Sequence, residues 1–181
     1  MEFKNVLSTR RSIRKYDGTR MLTKEQVEEL VKAANLAPTW KNSQTGRFHV
    51  ILSEDMKLKF REECFAPYNA GNTEGAAAII VATFVAGTAG FDKDGNPDNE
   101  LGNGWGIYDL GLQTENLLLK ATDMGLGTLV MGLRDADKIR ELLNIPEEEK
   151  IVSVISVGYL AEGLEPKMPP RKEISEISKI Y

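Results

Sequence analysis

Trp105-Gly106-Ile107-Tyr108-Asp109-Leu110-Gly111-Leu112-Gln113-Thr114-Glu115-Asn116-Leu117-Leu118-Leu119-Lys120-Ala121-Thr122-Asp123-Met124 is the stretch that decides the fold. It reads as the longest helix of the chain. Its apolar positions, among them Ile107, Tyr108, Leu110, Leu117, Leu118, Leu119 and Ala121, nearly encircle the axis. Such a helix must be covered on most sides, by its own core or by a second subunit. Gly104, Gly106 and Gly111 would permit close approach of neighbouring backbone.

Outward from that helix the pattern alternates. Leu126 to Met131 is a compact strand candidate. Ile139, Leu142 and Leu143 mark a helix stopped by Pro146, and Ile151 to Tyr159 is the last buried strand. Upstream, Ala76 to Ala86 is a near-continuous run of small or branched apolar residues, the signature of a strand buried on both faces. Met56, Phe60 and Cys64 suggest a short helix ending near Pro67, and Phe48, Val50 and Leu52 alternate as a strand. Thr23 and Gln26 fit a capping box with Leu22 and Val27 as its staple. Val27, Leu30, Val31 and Ala34 continue that helix to a stop at Pro38. A short opening helix carries Phe3, Val6 and Leu7. This order of helices and strands implies a layered arrangement in one domain spanning residues 1–181. The tail from Gly163 to Tyr181 has too few apolar residues for a core of its own. Ile174, Ile177 and Ile180 recur along it, which fits an extended arm lying on a partner subunit.

Composition narrows the function classes. Hydrophobic residues make up 41% and charged residues 28%, with a formal net charge of -4, so nucleic-acid binding is not advertised. No apolar run is long enough for a membrane span, and Met1-Glu2-Phe3-Lys4-Asn5 is too polar for a signal peptide. With Cys64 the only cysteine, an intrachain disulfide, a redox pair and a cysteine metal site are excluded. A reducing cytoplasm is the simplest location. His49 faces away from the Phe48 side of its strand and has no acidic partner in its segment, so it reads as structural. Asp92 to Glu100 alternates oxygen side chains as a calcium loop does, but Pro97 and Asn103 stand where glycine and glutamate belong, and turn chemistry accounts for it.

Chemistry-bearing residues concentrate in three places. Arg10-Arg11-Ser12-Ile13-Arg14 sets three guanidiniums and a hydroxyl in five residues. Guanidinium donors fit a phosphate with paired hydrogen bonds, although the same run also suits a solvated basic turn. Pro38-Thr39-Trp40-Lys41-Asn42-Ser43-Gln44-Thr45-Gly46 is a polar loop with one large aromatic, and Arg171-Lys172 is a second basic pair. No dinucleotide fingerprint, Walker A sequence, HExxH or nucleophile elbow is present. An enzyme without its own nucleophile or metal borrows reactivity from a cofactor.

In those places the chain resembles the FMN-dependent nitroreductase family. Arg10-Arg11-Ser12-Ile13-Arg14-Lys15-Tyr16 is similar to its opening motif, and Ala37-Pro38-Thr39-Trp40-Lys41-Asn42-Ser43-Gln44 to its second. Tyr108-Asp109-Leu110-Gly111 with Gly125-Leu126-Gly127 is similar to its interface helix and following strand, and Pro170-Arg171-Lys172 to its closing basic segment. The resemblance implies an α+β sandwich with a central, mostly antiparallel sheet flanked by helices. It further implies a C-terminal arm packing on the partner subunit of a homodimer with two FMN sites. Arg10, Arg11 and Ser12 would hold phosphate and ribityl, and Arg14 the pyrimidine side of the ring. Pro38, Thr39, Trp40, Asn42 and Gln44 would come from the other subunit. Asn69 would lie near the ring, Met131 and Gly132 near the flavin N5, and Arg171 with Lys172 at the phosphate. The implied activity is ping-pong hydride transfer from NADH or NADPH to a nitroaromatic, quinone or similar acceptor. Alternatives on the same fold are reductive dehalogenation, flavin processing, or flavin binding without turnover. Two departures stand out: the family's Gln-Pro-Trp is Gln44-Thr45-Gly46 here, and Asn72 stands where some members carry a flavin-facing lysine.

Overall fold

The computed structural model describes all of residues 1–181. Four strands form one sheet: β1 (Gly46–Ile51), β2 (Ala78–Val85), β3 (Leu126–Met131) and β4 (Glu149–Tyr159). Their order is β1-β2-β4-β3 and every neighbouring pair is antiparallel. The helices are α1 (Phe3–Thr9), α2 (Lys24–Asn35), α3 (Glu54–Cys64), α4 (Pro67–Asn72), α5 (Gly104–Asp123), α6 (Ala136–Leu143) and α7 (Ile174–Ile177).

The apolar run of β2 sits inside the sheet, and only its last residue, Val85, is not buried. Successive strand side chains serve opposite faces, so the two halves of that run feed two cores. On one face Ile80 and Ala82 meet Leu110, Leu117 and Ala121 of α5 and Leu30 of α2. On the other, Ile79 and Val81 meet Phe60 of α3 and Ile139 of α6. The predicted capping box of α2 is formed in both directions between Thr23 and Gln26. Pro67 does more than stop a helix, because it is the first residue of α4, where its missing N–H has no helical partner to lose.

The helix α5 owes its fit to glycine. A Cβ on Gly106 would lie 2.3 Å from the Phe84 ring, so α5 reaches the sheet only because that atom is absent. Gly111 meets nothing within 4 Å, and Ile107 and Tyr108 remain 50% and 60% exposed. One stripe of the nearly all-apolar helix is therefore uncovered within the protomer. The same holds for the tail, where Ile174 and Ile177 are 69% and 66% exposed. No helix is long and apolar enough to cross a membrane.

His49 has no acidic partner in its own segment. The fold supplies one from the start of β4: Glu149 lies 2.7 Å from His49 Nε2 and also accepts from Thr83 Oγ1. Burial pushes the Glu149 carboxyl up, but the bonds from Thr83 and His49 outweigh it and hold the group below the usual carboxylate range. A lowered folded-state pKa contributes stability above the unfolded value, and that contribution disappears as pH falls through the folded value. The melting temperature should therefore decline as pH is taken below about 4.3, the ordinary glutamate value. In Glu149→Gln the decline should be shallower. Thermal melts across an acid series check this, and parallel curves for the two proteins would refute it.

Candidate functional site

The arginine segment is pinned to the end of the sheet by two glycines. Gly127 of β3 and Gly158 of β4 face each other in register. Ile13 lies on the first: a Cβ there would sit 2.6 Å from its Cγ1. Tyr16 lies on the second: a Cβ there would sit 2.9 Å from its Cδ1. The Ile13 N–H donates to the Thr128 carbonyl at 2.8 Å, and the buried Tyr16 hydroxyl donates to the Ile13 carbonyl at 2.9 Å and bonds Ser156 Oγ at 2.8 Å. With Ile13 turned down onto the sheet, alternation along the extended segment turns Arg10, Ser12 and Arg14 outward. Arg11 turns with Ile13, into a small cavity lined also by Thr9, Thr122 and Leu160. Its Nη1 donates to the Arg10 carbonyl at 2.6 Å. The outward cations are weakly engaged: Arg10 stands 3.6 Å from Glu115 of α5, and Arg14 reaches the Ser12 carbonyl at only 3.4 Å.

The loop Pro38–Gln44 is docked on the first turns of α5. It contains a 3-10 turn at Trp40–Asn42, and Lys41, Asn42 and Gln44 all have positive φ, at 46°, 58° and 48°. Left-handed backbone costs an L residue about 1–2 kcal/mol. Strain of this kind persists only where the surroundings over-determine it. Here Asp109 Oδ2 accepts the Trp40 N–H at 2.8 Å, and the Trp40 and Trp105 rings stand 4.4 Å apart. Thr39 Oγ1 accepts the Gln44 N–H at 3.1 Å, Gln44 Nε2 donates to Asn42 Oδ1 at 3.1 Å, and Lys41 pairs with Asp98 at 2.8 Å. Asp109 is 3% exposed; burial pushes its carboxyl up, partly offset by the Trp40 N–H.

The Gly46 departure from the family motif has a physical counterpart. A Cβ at residue 46 would sit 1.9 Å from Gln113 Oε1, so a side chain from α5 fills the room that a larger residue would need. Trp40 Nε1, Ser43 Oγ, Thr45 Oγ1 and Gln113 Oε1 are buried and have no hydrogen-bond partner. Only Arg11 Nε and Arg134 Nε share that condition elsewhere, so unmet polar capacity is concentrated at this loop.

At the far end of β3, Met131 is buried and Gly132 exposed. Asn69 Nδ2 donates to the Leu133 carbonyl at 2.7 Å, which brings the predicted amide to the same turn. A cavity of about 710 Å³ opens beside it, lined by Phe65, Ala66, Gly132, Leu133 and Arg134. Cys64 also lines it, but its thiol is pushed up to about 11, first by burial and then by Glu63 and Asp135, so it stays protonated and is no nucleophile near neutral pH. Asn72 ends α4, half-buried. Arg171 and Lys172 lie in the exposed tail.

The predicted residues thus fall into groups. Arg10 to Arg14 and the Met131–Gly132 turn with Asn69 flank β3, where Thr128 and Met131 are about 10 Å apart at strand spacing. The loop meets α5 at Asp109 and Arg10 meets it at Glu115, about 9 Å further along the axis and about 120° around it. Within one protomer the loop and the arginines therefore sit on different sides of the helix. Asp109, Gln113 and Glu115 were not anticipated as site residues. Their one sequence signal was polarity on a helix otherwise apolar nearly all round.

Cationic and hydroxyl donors at one end, and exposed backbone at the other beside a cavity of mixed lining, where Phe65 and Leu133 stand with Glu63, Arg134, Asp135 and Lys138, leave room for a ligand with a phosphate and a flat ring. Comparison with known proteins places the chain among relatives. Residues 7–72 and 55–159 match the model of the nitroreductase family. A protein of Archaeoglobus fulgidus, named as a candidate NADH dehydrogenase/NAD(P)H nitroreductase, is 33% identical over 158 residues, covering 85% of this chain and 83% of that one. A solved oxidoreductase containing FMN is 26% identical with a TM-score of 0.73, over 87% of this chain and 76% of its own. A candidate nitroreductase of Exiguobacterium sibiricum, solved with FMN, has a TM-score of 0.83 at 24% identity, over 100% and 98% of the two chains, and shows the shared fold.

Proposed function

This chain belongs to the nitroreductase family, and from that premise we propose an NAD(P)H-dependent FMN oxidoreductase acting as a cytoplasmic, single-domain homodimer on a nitroaromatic, quinone or similar small acceptor. The observation that carries the reading is the outward row Arg10, Ser12 and Arg14, held over the Gly127–Gly158 pair at one end of β3 while the large cavity opens at the other.

When bound, FMN supplies a hydride acceptor and donor at its N5, which is why the chain needs no nucleophile or metal. Arg10 and Ser12 bind the phosphate end, with Arg171 and Lys172 closing on it from the tail. Arg11 serves by its place in the segment, its guanidinium being turned toward the small cavity. Arg14 sets a fixed positive charge against the pyrimidine edge, where reduction leaves negative charge. Met131 and Gly132 present backbone groups beside N5, and Asn69 holds that turn by its bond to Leu133. Pro38, Thr39, Trp40, Asn42 and Gln44 of the second protomer close the phosphate and ribityl side. The placement of the loop and Arg10 on different sides of α5, the uncovered Ile107–Tyr108 stripe and the exposed isoleucines of the tail support this two-chain site. Donor and acceptor share one open cavity in turn, which gives ping-pong kinetics.

Purified protein should be yellow, and anaerobic NADH or NADPH should bleach it. Colourless protein that cannot be reconstituted with FMN overturns the proposal. Yellow protein that neither donor bleaches leaves flavin binding without turnover. Acceptors screened against the bleached form separate nitro and quinone reduction from reductive dehalogenation.

A further inference from the structure

The most heavily constrained part of the candidate site is the strained loop, and its anchor is a charged group that the proposed chemistry does not use. Asp109 is buried on α5 and receives the Trp40 N–H at 2.8 Å. A buried carboxylate with so few partners is an expensive way to hold a core together, since an apolar side chain of similar size would pack there without losing hydration. What the carboxylate adds is a directional acceptor at the first residue of the 3-10 turn. Downstream of that point the backbone enters the left-handed region at Lys41 and Asn42 and again at Gln44. Upstream, the Trp105 ring, one turn before Asp109 on the same helix, lies against the Trp40 ring. Two residues of one rigid helix therefore fix both the backbone and the side chain of Trp40.

We propose that Asp109 is the positioning residue of the cofactor loop: its carboxylate, by accepting the Trp40 N–H, sets Thr39–Gln44 in the conformation that closes the phosphate and ribityl side of the site. This rests on the reading that the loop lines the FMN site. Asp109 touches neither the cofactor nor a substrate; it acts through Trp40. Because the loop of one protomer closes the site whose arginines come from the other, a change at Asp109 in one chain is felt at the cofactor of its partner.

The test has an arm that needs no cofactor. In apoprotein, the Trp40–Trp105 pair gives an exciton signal in circular dichroism that reports the position of the loop. Asp109→Ala should lose that signal and bind FMN about tenfold more weakly, the worth of one ordinary hydrogen bond. Asp109→Asn, which keeps an acceptor without the charge, should restore the signal and bring FMN affinity to within about twofold of the parent, a margin well inside one such bond. If the alanine variant does not fold, Asp109→Ser is read against the same criteria. An asparagine variant that behaves like alanine overturns the proposal, as does an alanine variant that keeps both the signal and the affinity. Asn42→Ala separates the proposal from its premise. Weaker FMN binding in Asn42→Ala beside unchanged binding in Asp109→Ala sinks the positioning role alone. Unchanged binding in Asn42→Ala, with the signal lost in Asp109→Ala, sinks the placement of the loop at the cofactor.

Discussion

Gly127→Ala is expected to destabilise the protein by about 1–3 kcal/mol, the usual cost of overpacking a well-filled core, and to release FMN in the same variant. The added methyl would lie 2.6, 2.8 and 3.0 Å from Cγ1, Cβ and Cγ2 of Ile13. Ile13 is buried, and its Cβ, 2.8 Å from the added methyl, moves only with the backbone, so no rotamer change clears the contact. The backbone at Gly127 needs no glycine conformation, since its φ is not positive; glycine is there for space. The strain must then be relieved by lifting the segment that carries Arg10, Ser12 and Arg14 away from β3, breaking the Ile13–Thr128 bond. Denaturant melts give the stability loss and FMN titration gives the affinity. The decisive measurement is the double variant with Ile13→Ala, which removes both γ-carbons. If Gly127 and Ile13 are in conflict as described, the double variant is less destabilised than the sum of the single variants. Strict additivity would mean that the glycine pair does not seat the arginine segment.

The fold was legible where local pattern and tertiary environment agree. The capping box of α2 and the apolar run of β2 each state a local requirement that only a few packings satisfy, and the structure meets them; the encircling apolar pattern of α5 is met on its core side, while Ile107 and Tyr108 stay exposed. The candidate segments were legible, because clustered guanidiniums and a polar loop after Pro38 carry their chemistry in the residue types. What could not be read was the way those segments are held. The Gly127–Gly158 pair is formed by register between strands whose partners are distant in sequence. Glu149 reaches His49 across the sheet from a hundred residues away. Asp109 is a buried acidic residue in a largely apolar helix, and its partner, the Trp40 N–H, lies 69 residues earlier in the chain. None of these pairings leaves a local trace, whereas α4 was missed for a local reason: a six-residue helix is too short to show periodicity.

Arg14→Ala is expected to weaken FMN binding about ten- to a hundredfold, the equivalent of one charge-assisted hydrogen bond of about 1.5–3 kcal/mol. The effect should be larger on the reduced form than on the oxidised one. A guanidinium set against the pyrimidine edge interacts most strongly with the form that carries negative charge there. Losing it should lower the two-electron midpoint potential, by about 30 mV for each 1.4 kcal/mol by which the loss on the reduced form exceeds that on the oxidised one. Arg14 is exposed and weakly engaged within the chain, so its removal costs little folding stability and the two readouts are not confounded by unfolding. Arg14→Lys keeps the charge but not the planar pair of donors, and should fall between the parent and alanine. Arg11→Ala is the internal control: its side chain turns with Ile13 into the small cavity, so affinity and potential should stay within about twofold of the parent, below the effect of one lost charge-assisted bond. Equal losses at Arg11 and Arg14 would contradict the alternation that turns Arg10, Ser12 and Arg14 outward. An unchanged potential in Arg14→Ala would remove Arg14 from the ring and leave it a phosphate ligand or a solvated cation.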